Sequence, residues 1–200
     1  MTTYAIIPVK ERSTRFPGKN FASLAGKPLI THAVEKLLKS GTVDEVLIST
    51  DTGEKVGEII ASMPEERVHI LPRSPWLAED TTSTDSVVGD VIERQVKPDP
   101  DDIVVLTQVT SPLWEIEDLF HAVTWLIRRP ETHVVSVNPA YQPNGNFYIF
   151  KVGVFRKTKS VFGRKPQLYV LPFERSIDID YPYQLAIAEA LYKGAQSTKP

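Results

Sequence analysis

The sequence predicts an α/β fold in which a mostly parallel sheet carries helices on both faces. Segments with helical periodicity separate the strand-like runs, and strands that alternate with helices require crossover connections and therefore run parallel. The 200 residues, of which 42% are hydrophobic, can bury one substantial core, so we expect a single domain spanning residues 1–200. Four runs have the apolar, β-branched character of strands buried on both faces: Tyr4–Val9, Glu45–Thr50, Ile103–Gln108 and His133–Val137.

The remaining elements follow in order along the chain. A less apolar run at Arg67–Leu71 predicts a fifth strand. Three segments have the apolar spacing of amphipathic helices: Thr31–Ser40, Thr84–Val96 and Ile116–Arg129. The first is followed by Gly41 and the last by Pro130, which are residues typical of helix ends. Beyond Pro143 the pattern predicts two shorter strands and a closing helix, near Phe147–Phe150, Leu168–Leu171 and Pro182–Lys193.

Composition excludes several classes of function. The chain has a formal net charge of -2, which argues against a nucleic-acid track. It has no cysteine, and its four histidines are scattered without ligand spacing, so zinc or thiol catalysis is not expected. No apolar run approaches the roughly 18 to 20 residues that span a bilayer. We therefore expect a soluble cytoplasmic protein that binds neither nucleic acid nor membrane.

A cationic loop directly follows the first strand. Its charged residues are four cations and one acid: Lys10, Glu11, Arg12, Arg15 and Lys19. A local positive field on a near-neutral chain suits a small phosphorylated ligand, and Gly18 lets the backbone approach that ligand closely. The loop is not a Walker motif, because Gly-Lys-Ser/Thr is absent. The alternative is a solvated surface turn in which Pro17 and Gly18 only supply the bend.

Two aspartates near the carboxyl end form the second candidate element. In an extended Ser176–Asp180 segment, Asp178 and Asp180 share one face while the isoleucines beside them face the core. Two parallel carboxylates suit Mg²⁺, which prefers one or two carboxylates together with waters and substrate phosphate oxygens. The alternative is that Asp180 merely caps the helix that Pro182 helps to open.

Polar residues also follow the other predicted strands. The carboxyl ends of parallel strands meet at one rim of a sheet, where ligands bind, so these residues are expected to gather into one composite site. They are Asp51, Arg73, Thr84, Gln108, Thr110 and Ser111. Simpler roles compete: Ser83 or Thr84 could cap a helix, and Ser111 precedes a proline in an ordinary strand-to-helix turn.

The tryptophans divide between the core and the rim. Trp125 falls on an apolar helical face and is expected in the core, whereas Trp76 and Trp114 are expected in rim loops. No histidine lies near a strand end beside a plausible serine, so the sequence suggests no nucleophile–base triad.

Taken together in this order, the motifs resemble those of the CMP-sialic acid synthetase (acylneuraminate cytidylyltransferase) family and its relative, CMP-KDO synthetase. The resemblance covers nearly the whole chain. It runs from Ile7-Pro8 with Ser13, Pro17, Lys19 and Asn20, through Ser49–Asp51, Arg73 with Leu77, Ala78 and Asp80, and Gln108–Leu113, to Asn144-Gly145 with Tyr148-Ile149 and Ser176–Asp180. Six ordered elements are far more specific than any one of them.

The resemblance implies a Rossmann-like nucleotidyltransferase fold, with CTP as the nucleotide and Mg²⁺ as the cofactor. By this resemblance Lys10, Arg12, Ser13 and Lys19 take the phosphates, and Asp178 and Asp180 hold the metal. Asn20, Arg73 and Thr84 would lie near the ribose and cytosine, and Gln108 would face a sugar acid. The nucleotide-site motifs also include Pro8, Asp51, Thr110 and Ser111.

The activity implied is transfer of CMP from CTP to an acidic 2-keto sugar, sialic acid-like or KDO-like, with release of pyrophosphate. The chain departs from the family pattern at Lys10, which replaces an arginine, and at Trp114, which also replaces one. Only Asn138–Gln142 stands where family members usually carry a longer insertion that serves the sugar pocket and dimer contacts. Two alternatives therefore stay open, a nucleotidyltransferase for another acceptor and a nucleotide-binding protein with impaired catalysis. Whether the chain forms a homodimer also stays open.

Overall fold

The computed structural model describes residues 1–61, 63 and 66–197. These residues form nine strands: β1 (Thr3–Val9), β2 (Ser23–Leu24), β3 (Lys27–Pro28), β4 (Glu45–Thr50), β5 (Val68–Pro72), β6 (Ile103–Leu106), β7 (His133–Val137), β8 (Pro143–Lys151) and β9 (Gln167–Val170). They also form six α-helices: α1 (Leu29–Lys39), α2 (Gly53–Ile60), α3 (Thr84–Asp90), α4 (Ile116–Arg128), α5 (Val152–Thr158) and α6 (Pro182–Ser197). Within this described part of the chain, no helix has both the length and the apolar character needed to cross a membrane.

Seven of these strands form one sheet, in the order β5-β4-β1-β6-β8-β7-β9. β1 pairs in parallel with both β4 and β6, and β4 with β5. β8 runs antiparallel to β6 and β7, while β7 and β9 are parallel, so β8 alone is reversed among the described strands of this sheet. The predicted mostly parallel sheet is confirmed. The carboxyl ends of β1, β4 and β6 consequently meet at one rim.

Helices cover both faces of the sheet because the buried strands are apolar on both sides. On one face, Ile7 and Ile48 pack with residues of α1, α2, α4 and α6. On the other, Ile6 and Leu47 pack with residues of α3 and α5. These four side chains are at most 4% exposed, and burying each one contributes about 1.5–3 kcal/mol. The packed core therefore fixes the positions of the strand ends, and the rim loops begin at these ends.

The observed elements differ from the sequence prediction in several places. The helices α2 and α5 were not predicted, because they have 8 and 7 residues and bury only two side chains each, which leaves little periodicity to detect. The single helix predicted at Thr84–Val96 is α3 followed by a π-helical stretch, Val91–Val96. β8 is also longer than the strand expected at Phe147–Phe150.

Two tryptophans have the opposite environments to those predicted. Trp114 is 1% exposed, and its ring meets that of Phe147 edge-on with centroids 5.0 Å apart. Lys36 Nζ donates to the Trp114 carbonyl oxygen at 2.6 Å, which satisfies a carbonyl beside the buried ring. Trp125 is 40% exposed, and its ring forms a T-shaped pair with that of Tyr169 of β9, with centroids 5.3 Å apart. Trp114 is therefore a core residue rather than a rim residue, and Trp125 lies at the surface.

A substitution at Gly163 should destabilise the fold strongly. Gly163 has φ +66°, and a Cβ there would lie 2.3 Å from Nδ1 of buried His133. We expect Gly163→Ala to lower the free energy of unfolding by about 2–4 kcal/mol, since strain and overlap add. Gly26→Ala is the matched control. Gly26 has a similar positive φ of +85°, but a Cβ built there meets no other described residue's atom within 4 Å. Urea denaturation measures the free energy of unfolding of both variants. Equal denaturation midpoints would contradict the predicted overlap between the new Cβ and His133.

Candidate active site

A cavity of about 330 Å³ opens at the rim where the carboxyl ends of β1, β4 and β6 meet. Ten of the residues predicted for the site line it: Pro8, Lys10, Lys19, Asn20, Arg73, Thr84, Gln108, Thr110, Asp178 and Asp180. These residues come from positions 8 to 180 of the chain, and the sheet topology brings them together. The structure therefore brings these ten residues together at the rim, and their role as one ligand site stays a prediction.

The cationic loop is closed on itself by a buried asparagine. Asn20 is 6% exposed, and its side-chain Nδ2 donates to the Lys10 carbonyl oxygen at 2.8 Å. Gly18, with φ 69°, begins the short 3₁₀ turn Lys19–Phe21 in the left-handed conformation that glycine adopts without strain. The loop therefore returns to its own start, which places Lys10 and Lys19 at the same cavity.

The first loop and the distant aspartates meet directly. Lys19 Nζ lies 2.6 Å from Asp180 Oδ1, and Arg15 Nη1 lies 2.9 Å from Asp180 Oδ2. The Arg15 guanidinium also lies 5.7 Å from the centre of the Tyr181 ring. Two cations thus share one carboxylate. A polyanionic ligand could replace Asp180 as the partner of Lys19 and Arg15, and a metal cation could then bind the Asp180 carboxylate.

The segment Ser176–Asp180 is not the extended strand that the sequence predicted. It is an irregular connection between a 3₁₀ turn and α6, held by a backbone hydrogen bond from Ile179 N to Thr110 O at 2.8 Å. Ile179 is fully buried, so its two neighbours Asp178 and Asp180 point to the cavity. The predicted alternation of side chains is therefore present without a paired strand.

Asp178 is a desolvated carboxylate. Burial raises the pKa of Asp178 above its ordinary value, the hydrogen bond with the Thr110 hydroxyl lowers it, and the charge of Asp180 raises it. Asp178 Oδ1 is buried and has no hydrogen-bond partner in the part of the chain that the structure describes. A buried, unsatisfied carboxylate oxygen is costly unless a cation or donor binds there. The donor set therefore fits a hard cation that also binds substrate oxygens.

The helix-capping alternatives have different outcomes. Gln184 Oε1 accepts from the backbone nitrogens of Asp180 and Tyr181, each at 2.8 Å, so a glutamine side chain serves the start of α6. The Asp180 carboxylate instead binds Lys19 and Arg15. The capping alternative for Asp180 is therefore wrong. At α3 the simpler role is confirmed, since Ser83 Oγ accepts from Ser86 N at 3.2 Å.

Arg73 is a buried cation that the end of β4 holds in place. It is 8% exposed, and its guanidinium donates to Ser49 Oγ at 3.2 Å and to the Ser49 carbonyl oxygen. Burial lowers the pKa of Arg73, and the charge of Asp51 raises it. Asp51 lies outside the lining of the cavity, where its Oδ1 accepts from Glu11 N at 3.0 Å. Asp51 therefore anchors the cationic loop to β4.

Three other predicted residues also lie outside the lining of the cavity. Arg12 and Ser13 border a shallow surface hollow on the outer side of the loop. Ser111 is fully buried, and its hydroxyl donates to the Asn144 carbonyl oxygen at 2.9 Å. Ser111 therefore braces the start of β8 behind the cavity.

Gln108 lines the cavity, and the buried Tyr148 lies near Asp178 but outside that lining. Gln108 N donates to the Gly145 carbonyl oxygen at 3.1 Å, and a Cβ on Gly145 would lie 3.1 Å from Gln108 Oε1. Tyr148 is 7% exposed. Burial, with a further contribution from the charge of Asp178, raises the pKa of Tyr148 to about 12, so its phenol stays neutral. Gln108 thus presents an uncharged hydrogen-bonding group to the cavity that Asp178 also lines.

Comparison with known proteins decides the family. A protein-family model described as cytidylyltransferase matches residues 4–182. The chain belongs to the cytidylyltransferase family. The sequence-based prediction of an enzyme of this family is confirmed.

Individual relatives cover the chain to different extents. The CMP-N,N'-diacetyllegionaminic acid synthase of Legionella pneumophila is 29% identical, over 96% of both chains. The N-acylneuraminate cytidylyltransferase of Streptococcus agalactiae serotype III is 26% identical over 90% of this chain, which spans about half (51%) of that protein. Among solved structures, a CMP:2-keto-3-deoxy-manno-octonic acid synthetase complexed with CTP superposes with TM-score 0.72 at 15% identity, covering 98% of this chain and 100% of that one. That last likeness confirms the fold.

The cytidylyltransferase cavity includes residues that the sequence prediction did not select. Arg15 was counted among the loop cations but not chosen, although it binds Asp180. Asp80 was noticed only as part of a motif; it lies outside the lining of the cavity, but its carboxylate pairs with the lining residue Lys10 and accepts from Thr14 Oγ1 at 2.6 Å. Val87 follows Thr84 by one helical turn, so helical spacing could have found it. The other lining residues not selected are Leu77, Glu79, Thr82 and Val109.

Proposed function

We propose that this cytidylyltransferase transfers CMP from CTP to an acidic 2-keto sugar, sialic acid-like or KDO-like, and releases pyrophosphate. One observation carries the proposal: Lys19, Asp178 and Asp180 line the same cavity. Lys19 and Asp180 are in contact although 161 positions separate them in the sequence. The names of the Legionella and Streptococcus relatives, both of which denote sugar-acid enzymes, support this choice of acceptor.

In the proposed complex, the triphosphate occupies the space beside the cationic loop. Lys10, Arg15 and Lys19 line the cavity there, and their present partners are the carboxylates of Asp80 and Asp180. Phosphate oxygens would replace these carboxylates, because charge-assisted hydrogen bonds to phosphate are among the stronger polar contacts. Arg12 and Ser13 would reach a phosphate only if the outer side of the loop turned inward.

The nucleoside would lie against the residues on the α3 side of the rim. Asn20, Arg73 and Thr84 line the cavity together with Pro8, and Thr84 is the first residue of α3. Arg73 is already held by Ser49, so little side-chain freedom is lost when it binds a ligand. We assign these residues to the ribose and cytosine.

We assign Mg²⁺ to Asp178 and Asp180, whose donor set fits it. Nucleotidyl transfer generally needs a divalent metal, and Mg²⁺ commonly binds through one or two carboxylates and substrate phosphates. When bound, the ion would neutralise charge on the phosphate oxygens. Thr110 would hold the Asp178 carboxylate in place through its hydroxyl.

The proposed reaction is an in-line displacement. An acceptor hydroxyl oxygen forms a bond to the α-phosphorus of CTP, the bond from that phosphorus to the bridging α–β oxygen breaks, and pyrophosphate leaves while the hydroxyl proton passes to solvent. Gln108 would orient the sugar acid next to the α-phosphate. Lys10 and Lys19 would stabilise the charge that accumulates on pyrophosphate.

A pyrophosphate-release assay tests the proposal. Each of the four ribonucleoside triphosphates is offered with a sialic acid, with KDO and with non-acidic sugars. We expect release only with CTP and a 2-keto sugar acid. Release with another acceptor would contradict the acceptor assignment, and calorimetric binding of CTP without release for any acceptor would contradict catalysis.

Removing the Thr110 hydroxyl should move the acid limb of the pH–rate profile. The Thr110 hydrogen bond lowers the pKa of Asp178, which burial raises. In Thr110→Val that pKa rises further, so the protonated carboxyl, which binds metal poorly, persists to higher pH. We expect kcat/KM to begin to fall at a higher pH than in the wild type, and added Mg²⁺ to restore part of the loss. An unmoved acid limb would contradict the role of Thr110.

A further inference from the structure

A segment rich in cations and free of acids lies outside the candidate active site. From Lys151 to Phe173, here called the basic segment, the sequence has six lysines and arginines and no aspartate or glutamate. Since the whole chain has a net charge of -2, the basic segment carries +6 and the other residues together carry -8. So strong a separation of charge within one sequence is typical of a surface that binds a polyanion.

Among the described residues, three of these six cations form ion pairs with acids. Lys151 pairs with Asp101 at 2.8 Å, and Arg156 and Lys159 both pair with Glu93, at 3.2 Å and 3.6 Å. Within residues 1–61, 63 and 66–197, the other three cations form no ion pair, and all three are exposed: Lys157, Arg164 and Lys165. Their charges are available to a partner.

Exposed apolar side chains lie on the same sheet face as these cations. Val135 of β7 is in register with Tyr148 of β8 and with Leu168 of β9, so their side chains share a face. Phe162 packs on the Tyr148 ring with centroids 5.1 Å apart, which places the loop containing Arg164 and Lys165 across that face. Phe162, Leu168 and Val170 are 43%, 40% and 47% exposed.

We propose that the basic segment binds the surface of an anionic lipid bilayer. Cations interspersed with protruding aromatic and aliphatic side chains match an interface of anionic headgroups over acyl chains. A specific complex with an acidic protein would need charges and hydrogen bonds that fix the orientation of the partner. The basic segment contains no acid that could help to fix it. Binding here would leave the active-site rim open, because the basic segment contributes no residue to the lining of that cavity.

Vesicle co-sedimentation of the full chain tests the proposal. We expect binding to vesicles of phosphatidylcholine mixed with phosphatidylglycerol, weakening with salt, and none to phosphatidylcholine alone. Arg164→Ala with Lys165→Ala should weaken binding about 25-fold, since each cation near an anionic membrane contributes about 5-fold. Pyrophosphate release without vesicles should be unchanged, which shows that the variant is folded.

The matched control removes two adjacent exposed cations from the opposite face. Arg128 and Arg129 lie at the end of α4, which packs on the other side of the sheet. Arg128→Ala with Arg129→Ala should bind vesicles as the wild type does. Three results would overturn the proposal. The wild type could bind both kinds of vesicle equally, or both double variants could lose the same amount of vesicle binding. Polyglutamate could also bind the protein as tightly as the mixed vesicles do.

Discussion

Asp178→Asn should reduce turnover by about 10³-fold or more while leaving the fold intact. The substitution keeps the shape of the side chain and removes the negative charge that we assign to the metal. Loss of a metal ligand that stabilises transition-state charge corresponds to several kcal/mol, and about 4 kcal/mol is a factor of 10³. Pyrophosphate release from CTP at saturating acceptor measures the effect.

The stability of the same variant provides a second readout. The pKa of Asp178 is raised on folding, so the folded protein favours the protonated form and the ionised carboxylate opposes folding at neutral pH. Replacement by a neutral amide should therefore cause no loss in melting temperature. Asp180→Asn is the comparison, because Asp180 binds Lys19 and Arg15 and should lose both activity and stability. An Asp178→Asn variant with near wild-type turnover would disprove the metal assignment.

The convergence of the site could be predicted because it depends on topology. Parallel strands put their carboxyl ends at one rim, so residues after β1, β4 and β6 had to meet whatever their side chains. That Asp178 and Asp180 both face the cavity could be predicted for a related reason. Buried Ile179 between two carboxylates fixes which way each points, even though Ile179 is held by a backbone hydrogen bond to Thr110 rather than by a strand ladder.

Details of side-chain pairing could not be predicted from the sequence. Asp51 and Arg12 satisfy the same strand-end rule as their neighbours, yet Asp51 serves a loop backbone and Arg12 lies on the outer side of that loop. Trp114 follows a rim turn, but the chain continues inward so that its ring packs on Phe147. These side-chain positions depend on the backbone conformation of a few loop residues. Periodicity does not encode that conformation.

Lys19→Ala should lower kcat/KM by about 10²- to 10³-fold. Lys19 is one of two loop cations that contact Asp180, at 2.6 Å, and its side chain is 17% exposed. If it neutralises charge on the departing pyrophosphate, its interaction strengthens in the transition state, so kcat falls together with kcat/KM. Steady-state pyrophosphate release over a range of CTP concentrations separates kcat from KM.

The stability of Lys19→Ala distinguishes this role from a structural one. Asp180 keeps Arg15 as a partner, so the free energy of unfolding should change by less than about 1 kcal/mol. Lys27→Ala is the matched control, since Lys27 pairs with Glu35 at 2.7 Å, a similar distance, away from the cavity. Lys27→Ala should leave kcat unchanged. If Lys19→Ala lost stability in proportion to activity, or lost no more activity than Lys27→Ala, its pairing with Asp180 would be structural and the triphosphate would lie elsewhere.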